Sequence, residues 1–139
     1  MNTANHRTQC VLASGNEGKL AELSDALSDF QIDLISQKNL NVSEAEEPAV
    51  TFVENALIKA RHASTATGLC ALADDSGLVV PALNGAPGVI SASYAATPGS
   101  DQKPTDQDNI DKLLESLKPL SSEARSAYFV SVLVFLRHT

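Results

Sequence analysis

A chain of 139 residues with 43% hydrophobic side chains is sized for one domain with one real core. Seventeen acidic against ten basic residues give a net charge of −7 and a pI near 4.8, which excludes a general nucleic-acid-binding surface, so an anionic ligand needs a local basic pocket or a metal ion. No run of about 18 apolar residues offers a membrane span. Cys10 and Cys70 lie in apolar stretches without a Cys-x-x-Cys or zinc pattern, and read as buried thiols in a reducing cytoplasm.

Residues 1–9 read as a polar N-terminal extension preceding a domain over 10–139. Residues 10–13 are a short apolar run, followed by the turn Ser14-Gly15-Asn16-Glu17-Gly18-Lys19 and by Leu20, Leu23, Leu27 and Phe30 at helical spacing. This predicts a strand, a glycine-containing turn and a helix. Residues 32–36 predict a second strand and residues 41–49 an acidic loop. Thr51 and Glu54 predict a capping box opening a second helix, with Phe52, Ala56, Ala60 and Ala63 on its small or apolar stripe. Asn55, Lys59 and His62 form a separate polar line on that helix, and Gly68 ends it.

The apolar run 69–72 predicts a strand that stops at Asp74-Asp75, and residues 78–83 a further strand entering the turn Asn84-Gly85-Ala86-Pro87-Gly88. Residues 95–108 are rich in turn formers and are expected to be the mobile loop. Ile110, Leu113, Leu114 and Leu117 share one face of a third helix, ended at Pro119. Residues 127–136 are strongly β-prone. Such a strand either lies centrally in the sheet or lacks a covering partner.

The chemistry gathers around Ala73-Asp74-Asp75-Ser76-Gly77. Two adjacent carboxylates after an apolar strand cannot be buried unpaired, and small neighbours leave room for a ligand outside the strand end, so the run reads as a cation-dependent site. The turn 14–19 offers backbone amides at a helix N-terminus and a nearby lysine, a phosphate-type arrangement that equally suits simple helix capping. It is not a P-loop. Glu44, Glu46 and Glu47 supply further oxygen ligands for an ion such as Mg²⁺, although an acidic loop also reads as solvated surface. Asn55 and Lys59 read by default as exposed polar positions. His6, His62 and His138 lie at the ends or on the surface and give little support to a histidine mechanism, and Ser76 is a substrate donor rather than a nucleophile. Together these features point to metal-assisted hydrolysis of a phosphate ester or anhydride.

Four segments in order carry a resemblance: Ser14 to Lys19; Thr51-Phe52-Val53-Glu54-Asn55-Ala56 with Lys59-Ala60; Ala73 to Leu78; and Ala82-Leu83-Asn84-Gly85-Ala86-Pro87-Gly88 with Ser91-Ala92. In these the chain resembles the bacterial branch of the inosine triphosphate pyrophosphatase family from about Val11 onward. The resemblance implies a mixed α/β fold, a twisted sheet with flanking helices in two lobes and the active site in the cleft. It also implies Mg²⁺-dependent hydrolysis of non-standard purine nucleoside triphosphates (dITP, ITP, XTP) to the monophosphate and pyrophosphate, in a cytoplasmic homodimer. By the same resemblance Ser14, Gly15, Asn16, Glu17, Gly18 and Lys19 cradle the triphosphate, Glu47 and Asp75 hold Mg²⁺, Asp75 orients or deprotonates the attacking water, Ser76 contacts substrate and Lys59 faces the phosphates.

The chain departs from that family at Ser93, where relatives commonly carry Arg, at Ile90, where many carry an aromatic residue, and at Pro48-Ala49, which replaces Thr-Gly. Family members also continue beyond the equivalent of Thr139 with Phe-Gly-Tyr-Asp-Pro and Ser-His-Arg segments that recognise the base. The expectation is therefore a domain lacking its C-terminal part. The alternative to an active enzyme is an impaired fragment that binds metal and triphosphate weakly or only self-associates.

Overall fold

The computed structural model describes residues 7–137, so His6 and His138 fall outside the described residues. The chain divides into two compact units, one running up to Asp75 and resuming at Val132, the other comprising Ser76–Ser131. Four strands, β1 (Thr8–Leu12), β2 (Ile32–Ser36), β3 (Cys70–Val79) and β4 (Tyr128–Leu136), form a sheet in the order β2-β1-β3-β4. β1 is parallel to both neighbours, with Cys10 opposite Leu34 on one side and Cys70 on the other. The mixed α/β architecture is the one expected.

Parallel strands covered on both faces need apolar residues on both sides of the pleat, which is why β1 reads as a continuous apolar run. On one face Cys10, Leu12 and Leu72 pack with Leu20, Leu23 and Leu27, contributed by and just after the helix α1 (Glu17–Ala26). On the other face Val11, Ala13, Ala71 and Ala73 meet Ala60 and Ala63 of the helix α2 (Phe52–Thr67). That second interface is almost entirely alanine. Side chains this small let a helix approach the sheet closely, which shortens the reach of polar side chains from α2 to β3.

Both cysteines are free thiols. Burial and the neighbouring Cys70 thiol push Cys10 up to about 12, so it is protonated and unreactive at neutral pH.

Several local expectations change. α1 ends at Ala26 and the chain continues into a single 3₁₀ turn, Ser28–Phe30, so Phe30 leaves the apolar stripe and is 69% exposed. The Thr51 hydroxyl accepts from Glu54 N as a cap should, but the Glu54 carboxylate accepts from that same hydroxyl rather than from the Thr51 amide. The reciprocal capping box occurs instead at Thr105 and Asp108, at the start of α3 (Asp106–Leu117). α2 does end at Gly68, whose φ of 69° is left-handed.

The largest change concerns β3. It does not stop at the acidic pair but runs through it to Val79, and residues 81–83 form a 3₁₀ turn, Pro81–Leu83, rather than strand. β4 is the last strand in the sheet order, so the central placement is not the one adopted. Val134 and Leu136 pack against the alanine-lined core, whereas Phe129 (82%), Leu133 (57%) and Phe135 (48%) are exposed on the alternate positions.

Within the second unit, α3 fastens the irregular segment before it. Asn109 Nδ2 donates to Ala92 O, its Oδ1 accepts from Ala95 N at 2.7 Å, and Lys112 Nζ donates to Tyr94 O while lying 4.5 Å from the Tyr94 ring centroid. Ser91 Oγ accepts from Leu78 N and donates to Gly88 O, which ties the 3₁₀ segment Gly88–Ser93 to the end of β3.

Candidate active site

Successive strand residues face opposite sides of a sheet, and this separates the two acidic neighbours on β3. Asp74 shares the face of Cys70 and Leu72, towards α1, and its Oδ2 lies 2.5 Å from Lys19 Nζ. Asp75 shares the face of Ala71 and Ala73, towards α2. Both carboxylates are buried, with Asp74 at 5% and Asp75 at 7% exposure. The single acidic motif thus supplies one carboxylate already paired to a lysine and one on the side of the acidic loop.

The helix α2 organises that loop through its polar line. Asn55 is 2% exposed, not on the surface as its default reading had it, and it holds Ala49 at both backbone groups: Ala49 N donates to Oδ1 at 2.9 Å and Nδ2 donates to Ala49 O at 3.2 Å. One helical turn on, Lys59 Nζ donates to Asp74 O at 2.7 Å and lies 3.7 Å from Glu47 Oε1. His62 Nε2 is 2.9 Å from Ser43 O, an acceptor only, so that nitrogen carries the proton. The loop 43–49 is therefore clipped to α2 at both ends, with Glu47 beside Lys59.

Glu47 titrates above its ordinary range. Burial is the main cause, Lys59 opposes it, and the negative charges of Asp75 and Glu44 add to it. Asp75 and Glu44 thus lie close enough for their negative charge to act on Glu47, and a cation at Glu47 relieves that repulsion. Among the described residues no group of three or more His, Cys, Asp and Glu is arranged around a metal position. Two carboxylates, Glu47 and Asp75, nevertheless fit Mg²⁺, which takes one or two protein oxygens and completes its shell with water and phosphate oxygens.

The turn after β1 adjoins this acidic group. Ser14 O accepts from Ser36 Oγ, and a Cβ added at Gly15 would stand 3.7 Å from Glu44 Oε1. Asn16 caps α1 by accepting from Lys19 N, and a Cβ at Gly18 would come within 3.2 Å of that capping oxygen. A small cavity of about 80 Å³ is lined by Ser14, Gln37, Glu44, Glu47 and Lys59 together with Ala13 and Ala45.

Of the site residues read from sequence, Ser14, Glu47 and Lys59 share this cavity, Gly15 borders Glu44, and Asp75 acts on Glu47. Asn16, Glu17 and Gly18 are exposed around the first turn of α1, and Lys19 is engaged with Asp74 on the opposite face of the sheet. Ser76 is exposed and opens the second unit, where it lines a groove of about 530 Å³ with Leu78, Asn109 and Phe129. Sequence reading missed Gln37 and the tether made by Asn55. Gln37 lies outside the four segments that carry the resemblance; Asn55 lies inside one of them, and its spacing with Lys59 and His62 placed those three side chains on one line without revealing its partner.

Comparison with known proteins places this geometry among relatives. The profile of the Ham1 family matches residues 10–139. The chain is 55% identical over 128 residues to a dITP/XTP pyrophosphatase of Shigella flexneri, covering 92% of this chain and 62% of the relative. It is 53% identical over 132 residues to a dITP/XTP pyrophosphatase of Haemophilus influenzae, covering 95% and 65%. Among solved structures, a HAM1 protein from Coxiella burnetii superposes with a TM-score of 0.84 at 47% identity, over 94% of this chain and 64% of that one. A nucleoside-triphosphatase / dITP/XTP pyrophosphatase from Mycobacterium abscessus gives 0.79 at 39% identity, over 94% and 66%. The chain thus spans a little under two thirds of the length of these relatives.

Proposed function

Because the chain belongs to the Ham1 family, we propose that it is a pyrophosphatase domain, residues 10–139, that hydrolyses non-standard purine nucleoside triphosphates (dITP, ITP, XTP) to the monophosphate and pyrophosphate. The observation that carries the reading is the convergence of Glu47 and Lys59 at one cavity with Asp75 close enough to perturb Glu47. The names of the relatives supply the substrate class.

In this reading Asp75, buried on the α2 side of β3, accepts a proton from the attacking water and orients it towards the anhydride between the α- and β-phosphates. That bond breaks and pyrophosphate leaves. Lys59, held in place by Asp74 O, presents its charge to the phosphates. The turn Ser14 to Lys19 cradles the triphosphate, with Asn16 fixing the first turn of α1 so that its amides point outward. Lys19 reaches the phosphates only by leaving Asp74. Ser76, next along β3 from Asp75, contacts the nucleotide. Glu47 and Asp75 hold Mg²⁺, which when bound neutralises charge developing on the leaving pyrophosphate. The family resemblance adds a cytoplasmic setting and a homodimer. Among the described residues no helix is long and apolar enough to cross a membrane.

The test is Mg²⁺-dependent pyrophosphate release from dITP and dATP in parallel, with Asp75→Asn as the comparison. Turnover of dITP in preference to dATP, lost in the variant, is the expected result. Turnover of both at equal rates removes the purine selectivity from these residues, and no turnover by the folded chain leaves the alternative of an impaired fragment. The exposed row Phe129, Leu133 and Phe135 on β4 is the observation that favours self-association in that case.

A further inference from the structure

Gln37 follows β2 directly and is 4% exposed, yet its side-chain amide makes no hydrogen bond within the described residues. Its backbone carbonyl accepts from Val42 N, which fixes the residue but leaves the amide group unserved. Neither amide atom is sealed from solvent, so the amide opens on the adjoining cavity and is met by water there. Gln37 lines the cavity of about 80 Å³ that also holds Ser14, Glu44, Glu47 and Lys59. Such a space admits a few waters or a phosphate group and no whole nucleotide. Only the end of a larger ligand enters it.

The partners already made decide which end. Glu44 and Glu47 can only accept when ionised, and suit a cation. Ser14 Oγ accepts from Asn16 N, leaving its own proton to donate, and Lys59 retains donor capacity beyond Asp74 O. The Gln37 amide adds two N–H groups to these. We propose that Gln37 is a phosphate-contacting residue, its Nε2 donating to an oxygen of the polyphosphate chain beside Lys59 in place of the water it faces in the free protein. The inference rests on the reading of this cavity as the triphosphate end of the site.

The test is the binding of inorganic tripolyphosphate with Mg²⁺, followed by titration calorimetry, together with the thermal midpoint of the free chain. Gln37→Met removes the amide at nearly constant volume, so it should leave the midpoint within about 2 °C while weakening tripolyphosphate about tenfold. A residue with a purely structural role does not lose binding while the midpoint holds. Gln37→Glu keeps the shape, adds repulsion towards the anion and should weaken binding further, and it serves if the methionine variant does not fold. Lys59→Ala is the control. If Lys59→Ala loses affinity while Gln37→Met and Gln37→Glu keep it, the role of Gln37 is overturned and the site stands. If none of the three loses affinity, or the unsubstituted chain binds no tripolyphosphate, the phosphate reading of the cavity falls and this role falls with it.

Discussion

Lys19 Nζ lies 2.5 Å from Asp74 Oδ2, across 55 residues of sequence, and this pair assigns the neighbouring carboxylates of β3 to different tasks. Asp74 fastens α1 to the sheet and Asp75 is left for the acidic side. Asp74→Asn should therefore keep Mg²⁺-dependent dITP turnover within about threefold while lowering stability by about 1–2 kcal/mol, the small figure reflecting the half-exposed lysine. Asp75→Asn should abolish turnover and keep the fold. Parallel kinetics and denaturant melts of the two variants check this, and equal losses of activity would sink the division.

Asn55 makes two bonds to Ala49 from a buried position. Asn55→Ala should cost about 2 kcal/mol and release the loop carrying Glu47. Hydrogen exchange at Ala49 should accelerate strongly, with the amides of β1 unchanged. Unaltered protection at Ala49 would show that the loop is held by other contacts.

Gly68 ends α2 in a left-handed conformation, and a Cβ there would meet no atom within 4 Å. Gly68→Ala thus isolates backbone strain from crowding. It should destabilise the chain by about 1 kcal/mol with no change in metal or tripolyphosphate affinity, measured by chemical denaturation and calorimetry. An unchanged midpoint would mean that the helix end relaxes to another conformation.

Much of this was legible in the sequence, and the exceptions share a physical origin. β2 was placed to the residue because Ile32–Ser36 is bounded by polar turns, and Gly68 was found because few residues tolerate its φ. β3 was cut short because the acidic pair was read as unable to remain in a strand. The structure keeps them there by giving Asp74 a lysine 55 positions earlier, a partner no local window contains. Asn55 was read as exposed because polarity usually means exposure on a helix. Its partner is a loop backbone, and backbone groups leave no signature in side-chain patterns. Gln37 escaped for the same reason, since nothing in its neighbours marks an amide that opens on a cavity.

Asp108 titrates below its ordinary value because its carboxylate accepts from the Thr105 hydroxyl and the Thr105 amide. A folded-state value below the unfolded one means the stabilisation is present above the ordinary carboxylate range and is lost as pH falls through the folded value. Thr105→Ala should therefore narrow the difference in thermal midpoint between about pH 6 and about pH 3. Midpoints that fall in parallel for variant and parent would contradict the assignment.

β4 carries no charged residue between Tyr128 and Leu136, and Phe129, Leu133 and Phe135 stand exposed on one side of it. Edge strands of soluble proteins usually carry a charge or a bulge against pairing. Leu133→Lys should reduce self-association of the 139-residue chain at micromolar concentration without altering tripolyphosphate affinity. Sedimentation velocity reads the first and calorimetry the second, and unchanged sedimentation of a parent that associates would place the contact elsewhere.

The pleat of β3 behaves as an address system in which odd and even positions deliver to different recipients. A single residue inserted or deleted between Cys70 and Asp74 would exchange the destinations, sending the lysine's carboxylate to the acidic loop and the loop's carboxylate to the lysine. Both acids would still be present. The sequence motif would read the same, and the chemistry would be misdelivered.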